Sequence, residues 1–155
     1  MKYGELALLM LFLGAACRRD AALPFVPDRL IPAAPVRLNI VLYLSSCTPC
    51  ASFTFDAAAA FVRKNPQSSS LVVVVNRNAD GAEDLLRERV AGAKNVAFIR
   101  DPHAAIARSA AVPSLPFLVI YDDRHRLLRA EAIAASGAAH ACLDDEIAAL
   151  YTVSS

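Results

Sequence analysis

The sequence has no tryptophan, almost no net charge and only four cysteines. A formal charge of +1 over 155 residues gives no polyanion-binding signal, so no nucleic-acid partner is expected. Cys17, Cys47, Cys50 and Cys142 are too few and too unevenly spaced for a disulfide scaffold. A shortage of apolar residues is also missing: they make up 56% of the chain, which excludes a disordered acidic or basic protein. There is no internal repeat, and no low-complexity segment beyond an alanine bias. The length suits one domain with a proper core.

The N-terminus has an apolar run, Leu6 to Leu13, after Lys2. It is short for a membrane span, which needs about 20 residues. A positive start, a short apolar run and the small residues Gly14-Ala15-Ala16 make residues 1–17 a secretory signal. Cys17 after those small residues resembles a bacterial lipoprotein signal, which implies acylation of Cys17 and a membrane anchor. Gly14 and Ala16 also satisfy the simpler small-x-small rule for secretion. An uncleaved anchor and a buried helix remain further readings. Residues 18–36 carry Pro24, Pro27, Pro32 and Pro35, which prevent a helix and favour an extended, Pro-rich tether. The same stretch holds Phe25, Val26, Leu30 and Ile31, so an extension that wraps the domain is equally compatible.

From residue 37 to 152 the pattern is a single α/β domain. Leu38 to Leu44 and Leu71 to Val75 are continuous apolar runs, expected as strands buried on both faces. Ala51 to Lys64 reads as a helix with Phe53, Ala57, Ala60 and Phe61 on one face, ended by Asn65-Pro66. Asp80 to Ala91 reads as a helix burying Leu85, Leu86 and Val90. A strand at Asn95 to Ile99 and a short helix at His103 to Ala111 follow. Phe117 to Tyr121 and Leu127 to Ile133 flank a turn at Asp122-Asp123-Arg124-His125. A closing helix is expected over Ala138 to Tyr151, with Leu143, Ile147 and Leu150 inward. The order β-α-β-α-β-α-β-β-α implies a central mixed sheet flanked by helices. Its early strands pair in parallel, and its last two form an antiparallel hairpin.

Cys47-Thr48-Pro49-Cys50 falls where the first strand gives way to the first helix, and Leu115-Pro116 falls just before a later apolar strand. With Phe98-Ile99-Arg100-Asp101 and Val112-Pro113-Ser114-Leu115-Pro116, these residues resemble the TlpA-like branch of the thioredoxin superfamily. Those proteins are exported, often membrane-tethered thiol-disulfide oxidoreductases. The resemblance covers about the last three quarters of the chain and implies a thioredoxin-like fold. It also implies protein thiols and disulfides as substrates, a redox partner that recycles the pair, and a periplasmic or cell-envelope location. No cofactor is implied beyond the Cys47–Cys50 disulfide. The nucleophile in disulfide exchange is a thiolate, which a helix N-terminus stabilises. Cys47, just before the helix, would attack. Cys50, in the first turn, would resolve the mixed disulfide. Pro49 suits a first turn, where its missing N–H would be unpaired anyway. By resemblance the Leu115–Pro116 bond is cis and offers the Leu115 backbone to a bound peptide.

The chain departs from the family pattern in four places. A buried carboxylate near the resolving cysteine is usual; its two known positions correspond here to Val41 and Phe53. Without it, Cys50 should lose its proton slowly near neutral pH. Ser46 stands where a tryptophan is usual, and Phe117 where a threonine is usual. His103, His125 and His140 read as bland, Cys142 as a small buried hydrophobe, and Arg124, Arg126 and Arg129 as a solvated basic face. Two alternatives to the enzyme are a copper-binding protein on the same fold, using both cysteines and His103 or His140, and a non-catalytic module with a structural disulfide. A zinc site would need a second ligand pair, so no metal is expected.

Overall fold

The computed structural model describes residues 23–32, 36–45, 48–76, 82–133 and 143–153, with the side chains of 48–51, 82, 144 and 153 left out of the description. The elements are β1 (Leu38–Leu44), α1 (Thr48–Lys64), β2 (Ser69–Asn76), α2 (Ala82–Arg89), β3 (Val96–Asp101), α3 (Ala105–Ser109), β4 (Phe117–Asp122), β5 (Leu127–Ala132) and α4 (Leu143–Val153). They form one sheet in the order β3-β2-β1-β4-β5. β1 pairs in parallel with β2, and β2 with β3. β4 is antiparallel to β1 and to β5. Every residue of β1 and of β4 is buried, as continuous apolar runs in central strands require. No helix among the described residues is long and apolar enough to cross a membrane.

One face of the sheet packs Ile40, Leu42, Leu71, Val73, Leu118 and Ile120 against α1, α2 and α4. The face that α1 turns inward differs from the sequence expectation. Phe55, Ala58, Ala59 and Val62 are buried, while Phe53 is 61% exposed and Ala57 and Phe61 flank the core. An alanine-rich helix carries more than one stripe at the same spacing, so periodicity does not choose between them. Phe55 decides the phase by packing against Phe98, 6.3 Å between ring centroids. In α2, Leu86 and Val90 are buried as expected, but Leu85 is 57% exposed, and the inward place goes to Glu83. Burial pushes the Glu83 carboxyl up, but hydrogen bonds from Arg87 and Arg100 outweigh it and hold the group below the usual carboxylate range. In α4, Leu143 and Ile147 are buried and Leu150 packs at the edge. The expected start of this helix at Ala138 lies outside the described residues.

The other face carries Val41, Tyr43, Val72, Val74, Phe117, Val119 and Tyr121. α3 covers part of it with Ile106 and Ala107, and the Pro-rich N-terminal segment covers the rest with Leu23, Val26 and Leu30. Of the two expectations for this stretch, residues 23–32 follow the wrapping extension rather than the free tether: they form a strap on the sheet. The prolines prevent a helix here, but the apolar residues between them find a hydrophobic face to bury against. A turn from Leu23 to Val26 and a 3₁₀ turn at Asp28–Leu30 shape the strap.

In the basic hairpin, Arg124 and Arg126 are exposed as expected, and Arg129 is half-buried. Arg126 bonds the buried Asp122 carboxylate, and Arg129 bonds Glu131 and Glu146. Arg124 and His125 are exposed in the turn, where His125 has a φ of 57°.

Tyr43 and Tyr121 are both fully buried beneath the strap. The Tyr43 hydroxyl donates to the Phe25 carbonyl at 2.6 Å. The Tyr121 hydroxyl is buried with no hydrogen-bond partner among the described residues. Burial pushes the Tyr121 phenol up to about 12. Burial, then the negative charge of Asp101, pushes Tyr43 higher still. Both shifts favour the neutral phenol in the folded state. Their contribution to stability is complete below pH 10, the ordinary phenol value, and is lost as pH climbs through the folded values. Phenolate absorbance followed together with circular dichroism should show two tyrosines ionising only as the fold is lost. Complete titration near pH 10 with the fold intact would contradict this burial.

Candidate functional site

The parallel strands β1, β2 and β3 all end at one edge of the sheet, and open α/β sheets bind their ligands at that edge. β1 leads through Ser45 and residues 46–47 directly into α1. α1 starts at Thr48, three residues earlier than its apolar pattern suggests, so Pro49 and Cys50 lie in its first turn. A first turn has backbone N–H groups without helical partners, which is where a thiolate gains most. Cys47 lies outside the described residues, as do Cys17, His140 and Cys142.

β4 supplies the second half of the site. In the antiparallel β1–β4 ladder, Tyr43 pairs with Phe117. The chain leaving β1 therefore passes beside the chain entering β4, so Leu115 and Pro116 lie at the end of the sheet where β1 finishes. The Leu115–Pro116 peptide is cis. The Ile133 N–H donates to the Pro116 carbonyl at 3.0 Å. Among the described residues, the Leu115 N–H and C=O have no backbone partner. Leu115 and Pro116 are half-buried, with Pro113 and Ser114 exposed beside them.

Asp101 closes the same end on the β3 side. Its carboxylate is buried and accepts from the Ile106 N–H at 2.7 Å and the Ala107 N–H at 3.0 Å. It thus ties the end of β3 to the first turn of α3, which gives the Phe98-Ile99-Arg100-Asp101 signature a structural reason. Neither position weighed for a proton acceptor carries an acid: Val41 is buried in β1, and Phe53 is exposed one turn beyond Cys50. Asp56, further along α1, pairs with Arg89 at the surface. Glu83 is buried, but its two arginines favour the ionised form, so it is a poor proton acceptor near neutral pH. His103 is exposed on the turn before α3, with a φ of 66°.

Sequence reading named Phe25 only as part of a wrapping extension and gave neither it nor Tyr43 a place at this end of the sheet. The Phe25 ring lies 5.3 Å from that of Phe117, and its carbonyl is held by Tyr43. The signal available for Phe25 was its place among the apolar residues of the Pro-rich stretch.

No family model matches the chain, and no curated protein matches it. Solved structures do. A secreted Mycobacterium tuberculosis disulfide oxidoreductase homologous to E. coli DsbE aligns over 73% of this chain and 81% of its own, with a TM-score of 0.58 at 16% identity. The fold is thioredoxin-like. The MTB protein dsbF aligns over 84% of this chain and 99% of its own, with a TM-score of 0.58 at 12% identity. A DsbF homologue from Corynebacterium diphtheriae aligns over 76% of this chain and 71% of its own, with a TM-score of 0.53 at 14% identity. At these identities the likeness is one of architecture. On the thioredoxin-like fold of this chain, the end of β1 and the start of β4 are neighbours at one end of the sheet.

Proposed function

We propose that this chain is an exported thiol-disulfide oxidoreductase that exchanges disulfides with protein thiols through Cys47 and Cys50. The observation that supports the reading is the β1–β4 register, which brings the end of β1, just before the Cys-x-x-Cys sequence, level with Phe117, the residue after Leu115 and Pro116. In this reading the Cys47 thiolate attacks a substrate disulfide and forms a mixed disulfide. Cys50 then attacks Cys47, leaving an intramolecular disulfide and a reduced substrate. The reverse sequence oxidises a substrate dithiol. The Leu115 backbone groups are available to pair with an extended substrate peptide, as a short added strand. The N-terminal signal supports export, and Cys17 is the residue an envelope anchor would use.

The two positions where an acceptor for the Cys50 proton is expected hold Val41 and Phe53, neither of them an acid. Release of reduced substrate should therefore be slow near neutral pH and speed up as pH rises toward the thiol range.

The test is equilibration of the purified chain with glutathione buffers, followed by thiol trapping. A reversible two-electron couple between about −120 and −270 mV is expected, the range of working oxidoreductases. Cys50→Ser should instead accumulate a mixed disulfide at Cys47. A pair that stays oxidised below about −300 mV would make it a structural disulfide and end the enzymatic reading.

A further inference from the structure

We propose that Phe25 is a specificity-determining residue: its ring forms an apolar wall beside the Leu115–Pro116 backbone and selects substrates with an apolar residue next to the reacting cysteine. This deepens the redox reading and rests on it.

The strap brings Phe25 to this end of the sheet and holds it there. Leu23 and Val26 on either side are buried, so the turn between them cannot slide along the sheet. Phe25 itself takes a left-handed conformation, with φ 63°, which an L-residue adopts only when its surroundings fix it. The Tyr43 hydroxyl holds its carbonyl, and Tyr43 is the cross-strand partner of Phe117. The Phe25 ring packs on Phe117 with the planes tilted by 59°. Phe117 follows Pro116 directly and is buried, whereas Phe25 is half-exposed.

Phe25, Val112 and Leu115 are half-buried, apolar and packed against the same cluster as Phe117. A peptide pairing with the Leu115 backbone sends alternate side chains to opposite faces of the sheet. Those sent toward the strap meet the apolar side chains of this cluster. An apolar side chain there gains contact, while a polar one loses water without a partner. A single apolar subsite of this kind discriminates by about tenfold.

The experiment uses the full chain carrying Cys50→Ser and two cysteine peptides, alike except for leucine or serine beside the cysteine. Each peptide is supplied as its mixed disulfide with thionitrobenzoate. The Cys47 thiolate attacks the peptide sulfur, an S–S bond forms between protein and peptide, and the bond to thionitrobenzoate breaks. The electron pair leaves on the coloured thiolate, so no other oxidant is consumed. The leucine peptide should react about tenfold faster. In Phe25→Ala that ratio should fall to near one. Tyr43→Phe keeps the ring packing and releases only the Phe25 carbonyl; there the ratio should fall by about half, which keeps the proposal testable if Phe25→Ala does not fold. Equal rates in the starting protein, or an undiminished ratio in a folded Phe25→Ala or in Tyr43→Phe, would overturn the proposal and leave the redox reading standing. No reaction with either peptide, or with a small aromatic disulfide, would bring down the redox reading and this proposal together.

Discussion

A chain that begins at Arg37 should fold poorly, with a melting temperature about 10 °C or more below that of a chain beginning at Ala22. Residue 37 is where the strand pattern starts, and it is the natural place to cut on sequence grounds. The strap shows why the cut should fail. Leu23, Val26 and Leu30 are each no more than 5% exposed, and they lie over Val41, Tyr43, Val72 and Val74. Removing the strap returns both surfaces of that contact to water. Burying one such side chain is worth about 1.5–3 kcal/mol, and the sheet residues beneath lose cover as well. The freedom regained by the released segment offsets part of this. A net loss on the order of 3 kcal/mol is a large share of the roughly 5–15 kcal/mol that holds a typical domain together. The uncovered face would also be a contiguous apolar patch, so the shortened chain should self-associate. Thermal melts by circular dichroism, with light scattering on the same samples, check both parts. Equal melting temperatures for the two chains would mean that the strap is not part of the stable fold.

That outcome bears on how much of this molecule was legible in its sequence. The strands were, because runs such as Leu71-Val72-Val73-Val74-Val75 have no polar position to place at a surface. The chain positions of Cys50 and Pro116 relative to the elements were legible too. A strand, a Cys-x-x-Cys and a helix in that order fix where Cys50 falls, and Phe117 heading β4 fixes where Pro116 falls. The phase of α1 was not legible, since the choice of Phe55 over Phe53 depends on Phe98, 43 residues downstream of Phe55. The inward turn of Glu83 was hidden for a similar reason. Its (i, i+4) partner Arg87 is visible in the sequence, but Arg100 comes from another strand. Phe25 was the hardest to read. Its importance comes from a cross-chain stack and one hydroxyl, neither of which leaves a periodic mark.

Asp101 and Asp122 are both buried carboxylates, and the one with fewer partners should matter more. Asp122 accepts from the Arg124 N–H, the Arg126 N–H and the Arg126 guanidinium. The hairpin turn is exposed, and the Arg126 side chain is 61% exposed, so in Asp122→Ala water can reach the freed groups. A loss of about 1–2 kcal/mol is expected. Among the described residues Asp101 accepts from two donors, the Ile106 and Ala107 N–H groups, but both bonds are buried, at the base of a helix that covers the sheet. Asp101→Ala strands these donors away from water, at about 1–3 kcal/mol each, and loosens α3 with them. The larger loss, about 3–4 kcal/mol, should therefore fall on Asp101. Acid should separate the Asp122 contribution. Burial pushes the Asp122 carboxyl up, but hydrogen bonds from Arg126 and Arg124 outweigh it and leave the group below its ordinary value. A depressed carboxylate stabilises the fold fully above its ordinary value of 3.8 and loses that contribution as pH falls through the lower, folded value. The gap between the parent and Asp122→Ala should thus be constant near neutrality and close below about pH 4. Urea unfolding of the parent and both alanine variants at pH 7, repeated at pH 3 for Asp122→Ala, measures all of this. A larger loss for Asp122 than for Asp101 at pH 7 would mean that water does not reach the hairpin turn as its exposure implies.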